Sequence, residues 1–420
     1  LSMELIGITQ IETFAFIDPP DRKAFVEAYQ TLIALGAISS EAKQLTQLGT
    51  EMAKLPLEPR ISRMVLEAEK HGCVSEIATI ASFLSVRNVF VRPKGKEYQA
   101  DLAHQIFRSP KSDSLTFLRV WKSYVDSDFS GDWCFRNCLH APNLREIKNI
   151  RLQLISMLER RGEINSNPDE NVVLRCVAAG LIQNLLEHVS RHEYSGIVRN
   201  ELRSVYIHPG STVFGGGLDP RFIVCSEVVH TSKTFARAVS TVDPSWLPEL
   251  APEQFAFGQQ RLVSYLPGED TVLTEKPIIK KKFAMFSSDI QIGVTQARIP
   301  IPEARRLQAG VIANATRLGW IKRTFKREPG RGRFGITLER TIARSGGRIY
   351  SRALFSDMEI QPGCTFYCTV REGFDGEWAA TPQFRVLDLP EPSVVESKEG
   401  KVKPPEVNDI EELKKMWGAH

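Results

Sequence analysis

The hydrophobic period of this sequence changes near residue 190, and that change limits what the chain can fold into. Before it, apolar residues mostly recur three or four positions apart, as on an amphipathic helix. After it, stretches such as Val205-Tyr206-Ile207-His208 and Phe222-Ile223-Val224-Cys225 alternate or are rich in β-branched residues, with glycine- and proline-containing turns between them. This order predicts a multidomain α+β protein in which helical domains precede small barrels of short strands.

Residues 1–58 predict a compact helix–helix–strand unit. Asp21 can cap a helix that ends at Gly36, and Thr46 can cap a second helix. The short segment between Gly36 and Thr46 predicts two wing strands. This order of elements is typical of a winged helix.

The remaining boundaries follow from the same patterns. Apolar stripes separated by short polar breaks predict a helical bundle over 59–165, and a further helix is predicted over 172–190. A helix from about Pro302 to Leu318 precedes more strand-like stretches, and a Pro-, Glu- and Lys-rich composition follows Pro390. The predicted organisation is a winged helix at 1–58, a bundle at 59–165, a barrel at 172–257, a connecting segment at 258–300, a second small β-barrel at 301–388 and a flexible tail at 389–420.

Composition restricts the class of protein more than its function. The 420 residues are too many for one ordinary core, and no run of eighteen apolar residues occurs, so we expect no membrane partner. The net charge of +4 gives only mild support for a polyanionic partner. The chain opens on Leu1 and enters a patterned segment at once, and we therefore interpret it as a fragment.

The seven cysteines predict reduced thiols in an intracellular protein, cytoplasmic or nuclear. Cys134 and Cys138 with His140, and Cys364 with Cys368, have spacings that invite a zinc interpretation. Neither set supplies the two closely spaced pairs of a structural zinc site. Cys134 and Cys138 lie one turn apart on a predicted helix, so core packing is favoured and no metal site is predicted.

Several short motifs occur in a fixed order along the first 255 residues. Among them are Phe16-Ile17-Asp18-Pro19-Pro20, Leu55-Pro56-Leu57-Glu58-Pro59-Arg60, Asn88-Val89-Phe90, Arg92-Pro93-Lys94, Asp132-Trp133-Cys134, Tyr206-Ile207-His208-Pro209, Thr231-Ser232-Lys233 and Asp243-Pro244. Together they resemble the C-terminal region of DEAH-box RNA helicases. One departure is Asp113-Ser114-Leu115-Thr116, where members of that family commonly have His in the second position, so one ratchet contact is not carried over.

The resemblance implies a winged helix, a ratchet-like bundle and an OB-fold that pack on helicase motor domains and enclose a tunnel for single-stranded RNA. The sequence contains no GxxxxGK[ST], Asp-Glu-x-His or QRxGR motif, so we expect no ATP hydrolysis by this chain alone. No cofactor is expected in this chain. The resemblance implies that the intact protein is an ATP-dependent RNA helicase whose motor domains use ATP and Mg.

The start of the ratchet-like bundle supplies the first candidate RNA contacts. Ser85, Arg87 and Asn88 end an apolar helix, and Arg92 and Lys94 follow on a loop. The resemblance implies that this is a tunnel-facing edge, where cations and donors meet phosphate oxygens. Helix capping and solvated charge explain the same residues equally well.

The OB-fold supplies the second set of candidates. Thr231, Ser232 and Lys233 lie at a strand junction, with Arg237 four residues later, and such side chains suit phosphate oxygens. The alternative is an ordinary surface turn, but the resemblance implies that this segment faces the tunnel. His208 can stack on a base or donate a hydrogen bond, or it can be a structural histidine.

The last barrel contains Gly319-Trp320-Ile321-Lys322, a basic loop at 325–333, Phe334-Gly335-Ile336 and Arg348-Ile349-Tyr350. These stretches resemble a cold-shock-type domain, a family that stacks bases on aromatic side chains of adjacent strands. Arg323, Thr324 and Ile336 stand where that family has rings, so the stacking surface is thinned. The alternative is a barrel whose aromatic residues are core. The candidate RNA contacts here are Trp320, Lys322, Lys326, Arg327, Arg331, Arg333, Phe334 and Tyr350.

Two other functions compete with RNA binding. Winged-helix domains of the family can hold a glycine-patch activator peptide, so the chain can be primarily a protein-docking platform. An enzyme in its own right is disfavoured because the sequence offers no catalytic triad, HExxH or paired-carboxylate arrangement.

Overall fold

A computed structural model of the chain describes residues 1–7, 14, 16–39, 41, 44–190, 192–199, 201–214, 219–281, 290–319, 321–324, 326–327, 336–337, 350–351, 365–372 and 378–390. These residues divide into two compact units. The first comprises residues 1–260 and 276–295, and the second comprises residues 261–275 and 296–420. Within the described ranges, none of the helices combines the length and the apolar character that a membrane span requires.

The first unit begins with a short helix that the sequence did not predict, α1 (Ser2–Leu5). The two predicted winged-helix helices follow as α2 (Arg22–Ala34) and α3 (Gln47–Ala53). The Asp21 carboxylate accepts from the Ala24 N–H, and Thr46 Oγ1 accepts from the Gly49 N–H, which confirms both predicted caps. The wing is reduced to one antiparallel bridge between Ile38 and Leu45. Only glycine fits at position 49, since a Cβ there would lie 1.9 Å from the Ala37 carbonyl oxygen.

The bundle that follows has two buried clusters. In the first, α4 packs along α10, and in the second Phe83, Val120, Tyr124 and Ile147 lie among aromatic neighbours. The helices are α4 (Pro59–His71), α5 (Val74–Leu84), α6 (Glu97–Gln105), α7 (Asp113–Asp126), α8 (Gly131–Arg136), α9 (Ala141–Glu159) and α10 (Glu170–Leu181).

The cysteine pair of the bundle does not share a helix, contrary to the sequence-based expectation. Helix α8 ends at Arg136, and Cys138 follows in a left-handed conformation with φ of 51°. Cys134 is fully buried in the second cluster, so the packing role predicted for this residue is confirmed. The described residues bring together no group of three His, Cys, Asp or Glu side chains suited to a metal ion.

The helix predicted over 172–190 was wrong in its second half. Helix α10 ends at Leu181, and strand β1 (Leu185–Ser190) pairs antiparallel with the strand at Phe222–His230. The Asn184 side-chain amide donates to the Cys225 carbonyl at 3.0 Å and fixes the turn into the strand. A short apolar run can pair its backbone N–H and C=O groups equally well in a helix or in a sheet. Here the cross-strand partners within Phe222–His230 determine that residues 185–190 form a strand.

The predicted first barrel is confirmed. Its strands close in the order β1-β2-β3-β5-β4, with β3 and β5 parallel. The interior is filled by Leu186, Tyr194, Val205, Ile223 and Val239. The strands after β1 are β2 (Glu193–Gly196), β3 (Val205–Ile207), β4 (Phe222–His230) and β5 (Thr234–Thr241).

Barrel and bundle share polar contacts. Arg60 Nη1 donates to the Ser226 carbonyl at 2.9 Å, and the Ser112 and Ser240 hydroxyls are hydrogen bonded at 2.7 Å. Ser114, the position at which the sequence departs from the helicase pattern, is buried with its hydroxyl 3.4 Å from that of Ser240. Ser114 therefore places a small hydroxyl group at the contact between α7 and β5.

Residues 258–300, predicted as a connecting segment, contain strands. In the first unit, α11 (Leu247–Leu250) and β6 (Phe255–Phe257) precede a pairing of β6 with Ile278–Lys280. Phe255, Ile278 and Ile292 are buried in the same cluster as α4 and α10. The strands are β7 (Arg261–Leu266), β8 (Thr271–Lys280) and β9 (Ile290–Pro300).

In the second unit, β7 pairs with the first half of β8, and α12 (Ile301–Arg317) confirms the helix predicted there. Among the described residues, the later strands form one sheet in the order β10-β14-β15 and another in the order β11-β12-β13. A closed second barrel stays a prediction. The strands are β10 (Ile321–Thr324), β11 (Lys326–Arg327), β12 (Ile336–Thr337), β13 (Tyr350–Ser351), β14 (Thr365–Glu372) and β15 (Trp378–Val386). Apart from residues 389 and 390, the predicted tail lies outside the described residues.

Candidate nucleic-acid interface

The parallel pairing of β3 with β5 creates a mixed aromatic and basic surface on the first barrel. Tyr206 is the cross-strand partner of Phe235, and three of their neighbours in sequence, Val205, Ile207 and Ala236, are buried inside the barrel. Because strand side chains alternate between two faces, His208 and Arg237 share the outer face with the two rings. We call Tyr206, His208, Lys233, Phe235 and Arg237 the barrel face.

Two ring contacts organise the barrel face. Lys233 Nζ lies 4.5 Å from the centroid of the Tyr206 ring, which is a cation–π contact. The His208 ring meets the Phe235 ring edge to face, with centroids 5.6 Å apart and an interplanar angle of 78°. Tyr206 and Phe235 are only partly buried, so each ring keeps accessible surface.

His208 is held in its neutral form. Its Nδ1 accepts from the Gly210 N–H at 3.0 Å, which leaves the proton of the neutral ring on Nε2. Burial, followed by the positive charge of Arg237, lowers the pKa of His208 below its usual value of 6.5, and Asp113 opposes the shift only in part. At neutral pH His208 therefore offers a ring surface and one N–H donor.

The turn between β4 and β5 presents Lys233. The Thr231 N–H and hydroxyl both donate to the Lys233 carbonyl, at 2.9 and 3.2 Å, so Thr231 is committed to the turn. Ser232 is exposed at the tip. Among the described residues, the Arg237 guanidinium has no ion pair, although Glu227 is its cross-strand partner. Lys233 and Arg237 are thus the positive charges that the barrel face offers to an anion.

The candidates in the bundle lie on the loop that follows α5. The Ser85 hydroxyl donates to the Ala81 carbonyl at 2.8 Å and caps the helix, and Arg92 is paired with Asp101 at 2.7 Å. Asn88 Oδ1 accepts from the Phe90 N–H. Arg87 and Lys94 are exposed, and the described part of the chain gives neither a side-chain hydrogen bond nor an ion pair to them.

Four of the eight candidates of the predicted second barrel cannot be placed. Trp320, Arg331, Arg333 and Phe334 lie outside the described residues. Lys322 is exposed on β10. Lys326 and Arg327 form β11, which pairs with β12, and β12 pairs with β13 at Tyr350. The backbone therefore brings these three residues to one small sheet.

Sequence reasoning missed Tyr206 and Phe235. Both sit at positions of period two with residues that were singled out, Tyr206 before His208 and Phe235 between Lys233 and Arg237. Alternation along each strand would have placed Tyr206 on one side with His208, and Phe235 on one side with Lys233 and Arg237. The adjacency of Tyr206 and Phe235 depends on the parallel β3–β5 pairing, which cannot be predicted from the local sequence pattern.

Comparison with known proteins agrees with this architecture. Residues 28–57 match the winged-helix part of the helicase-associated domain, and residues 58–117 match its ratchet-like part. Residues 173–254 match an oligonucleotide/oligosaccharide-binding (OB) fold. Each match is to a domain that the fold shows in the same place and order.

A curated relative extends the similarity. The chain is 34% identical over 268 residues to the pre-mRNA-splicing factor ATP-dependent RNA helicase prp22 of Schizosaccharomyces pombe, an alignment that covers 63% of this chain. The aligned part spans 22% of the length of that relative. Residues 28–254 therefore carry, in order, winged-helix, ratchet-like and OB-fold domains that are similar to those of the C-terminal region of DEAH-box RNA helicases.

Proposed function

We propose that this chain binds single-stranded RNA on the barrel face and couples it to helicase motor domains in the intact protein. The observation that carries the proposal is the junction of Tyr206 and Phe235 with Lys233 and Arg237 on one side of an OB-fold. Cations attract the phosphate chain, and adjacent rings offer surfaces on which bases stack without regard to sequence. The face thus supplies both contacts that a sequence-tolerant single-strand binder needs.

The energetics favour exchange of the internal contact for an RNA contact. Lys233 covers Tyr206 in the free chain, and such an exposed cation–π contact contributes about 0.5–1 kcal/mol. A base stacked on an aromatic side chain contributes about 1–3 kcal/mol. When Lys233 moves from the ring to a phosphate, it gains a charge-assisted contact while the ring gains a base.

The loop after α5 is the second proposed contact. Arg87 and Lys94 are positive charges there that have no ion pair with the described residues, while Ser85, Asn88 and Arg92 already have partners within the chain. We expect Arg87 and Lys94 to contribute to attraction of phosphates. We expect Ser85 and Asn88 to act by shaping the loop.

The motor partners carry the chemistry in this proposal. ATP and Mg bind to motor domains that the chain would pack against, and the chain itself contributes the grip on RNA. The description of the Schizosaccharomyces pombe relative as a pre-mRNA-splicing factor supports pre-mRNA as the class of RNA and a nuclear location.

The test is fluorescence anisotropy of a labelled single-stranded RNA titrated with the full chain across a salt series. We expect salt-sensitive binding that the Lys233→Ala/Arg237→Ala variant weakens. The Lys23→Ala/Arg160→Ala variant removes the same charge from exposed sites elsewhere and is the matched control. A chain cut at Pro252 is unsuitable, because it loses Phe255, Ile278 and Ile292 from the core.

Other outcomes would redirect the proposal. Binding that persists in the barrel-face variant but falls in Lys322→Ala/Lys326→Ala/Arg327→Ala would make the second unit the RNA reader. Absence of binding at low salt would contradict RNA binding by the chain alone and bring protein docking, such as capture of a glycine-patch peptide, to first place.

A further inference from the structure

The ratchet-like bundle contains a cavity that is lined by none of the proposed RNA-contact residues. It has a volume of about 290 Å³ and lies among α5, α7, α9 and the start of α10. Leu115, Leu118 and Val173 give it apolar walls. It is lined by none of the barrel-face residues and none of the candidates on the loop after α5.

Arg151 enters this cavity with most of its donors unused. Its Nε donates to Thr79 Oγ1 at 2.8 Å, and its Nη2 donates to Ser75 Oγ at 2.9 Å. Among the described residues, the other guanidinium hydrogens have no acceptor. Its direct partners are neutral hydroxyls, and burial lowers the pKa of Arg151 although distant Glu76 opposes the shift. A half-buried cation of this kind gains most from a bidentate anion.

A second positive charge stands at the cavity. Lys122 is exposed on α7, and its ammonium has no ion pair with the described residues. Arg119 differs, because it is paired with Glu170 at 3.1 Å. The Glu76 carboxylate is already engaged by the Ser166 hydroxyl and the Asn167 N–H. Lys122 and Arg151 are therefore the lining cations that lack a carboxylate within the described part of the chain.

We propose that this cavity binds an acidic side chain of a peptide, with its carboxylate on Arg151 and Lys122 and a neighbouring apolar side chain against Leu115 and Leu118. The volume suits one or two side chains. Charge and apolar surface lie side by side in it, as they do in a peptide that carries Glu or Asp next to Leu. This site is independent of the proposed RNA function.

Peptide fits the cavity better than RNA does. The Arg151 guanidinium carbon lies 5.3 Å from the centroid of the Trp121 ring, so that face of the indole is occupied. Tyr124 and Phe129 also contact this ring, at centroid distances of 6.2 and 6.1 Å. Glu76 and Glu170 line the cavity and repel any anion, so a chain of phosphates with several negative charges is disfavoured more than a single carboxylate. The one charge of a carboxylate can be met by Lys122 and Arg151, which have no carboxylate partner among the described residues.

The test uses the full chain and two blocked tripeptides, acetyl-Leu-Glu-Leu-amide and acetyl-Leu-Gln-Leu-amide, with binding measured by saturation-transfer NMR and calorimetry. We expect a dissociation constant of about 1 mM for the Glu peptide and binding at least about tenfold weaker for the Gln peptide. Lys122→Glu should weaken the Glu peptide about tenfold or more, while Arg160→Glu, the same charge change on an exposed residue of the bundle, should leave it unchanged.

Lys122 is the primary variant because Arg151 also ties α9 to α5, so that its replacement can unfold the bundle. Equal binding of the Glu and Gln peptides would overturn the proposal, as would no binding at about 10 mM peptide. Displacement of the peptide by single-stranded RNA would assign the cavity to RNA instead. The Lys233→Ala/Arg237→Ala variant should retain peptide binding, which separates this site from the barrel face.

Discussion

The Asp113 carboxylate accepts a hydrogen bond of 2.7 Å from the backbone N–H of Val239, 126 residues further along the chain. The same carboxylate accepts from the Ser211 hydroxyl and from the Thr212 N–H and hydroxyl, at 2.7–2.9 Å. Asp113 is the first residue of α7, so its charge also faces the positive end of that helix. One buried carboxylate thus fixes the helix start, the loop after β3 and strand β5 relative to one another.

Replacement of Asp113 by Ala should destabilise the first unit by about 2–4 kcal/mol, because several buried donors lose a charged acceptor. Urea unfolding followed by circular dichroism measures the change. Asp126→Ala removes a carboxylate from the exposed end of the same helix and should change stability by less than about 0.5 kcal/mol. Equal effects of the two variants would refute the structural role of the Asp113 contacts.

A second buried carboxylate makes the stability of the bundle depend on acidity. Burial alone would raise the pKa of Glu67, but the hydrogen bond and charge of Arg63, with the charges of Lys70 and Arg175, lower the pKa to about 2. A carboxyl whose pKa is lower in the folded chain than in the unfolded chain stabilises the fold at any pH above its unfolded pKa. This stabilisation is lost as the pH falls through the folded pKa. For Glu67 the loss therefore occurs between about pH 4.5 and about pH 2.

Glu67→Gln should accordingly cost about 3 kcal/mol at neutral pH, and the difference from the native chain should shrink as the pH falls from about 4.5 toward 2. Urea titrations at several pH values give the two curves. Glu146→Gln, an exposed change on α9, is the control that should show no such convergence. If the free energy of unfolding of Glu67→Gln and of the native chain ran parallel with pH, Arg63, Lys70 and Arg175 would not stabilise the negative charge of Glu67.

Local chemistry explains what the sequence predicted well. The caps at Asp21 and Thr46 depend on residues three positions away, and the alternating or β-branched pattern of β3, β4 and β5 is visible within each strand. The interpretation of 258–300 as a connection was wrong because it overlooked a local hairpin, in which β7 and β8 pair across the short turn at 267–270. The candidate site met a different limit. Lys233 and Arg237 were identified as cations, but the Tyr206–Phe235 pair depends on the parallel β3–β5 register, which joins strands that are distant in sequence.

The contributions of charge and of ring stacking to the RNA affinity of the barrel face should be separable by mutation. Lys233→Ala should reduce the slope of log affinity against log salt by about 1, since one phosphate contact is lost. Tyr206→Leu should weaken binding by about 1–3 kcal/mol with the slope unchanged, because a ring carries no counterion. Anisotropy titrations between about 50 and 200 mM salt give both quantities. A slope change in Tyr206→Leu equal to that in Lys233→Ala would mean that the ring acts only by positioning the lysine.

His208 should make RNA binding stronger in mild acid. Its pKa is lowered by burial and by Arg237, so the ring is neutral at pH 7 and gains a positive charge only as the pH falls below its usual value of 6.5. The groups that face it are the Phe235 ring, the Gly210 N–H, Arg237 and Asp113. Protonation of His208 places a second positive charge beside Arg237 and breaks the hydrogen bond from the Gly210 N–H to Nδ1. Because both effects oppose protonation, the increase in RNA affinity occurs only at low pH. Anisotropy titrations from pH 8 to about pH 5 should be flat above about pH 6.5 and then rise, and the rise should be absent in His208→Gln. A rise of equal size in His208→Gln would assign it to other groups and leave His208 with a structural role.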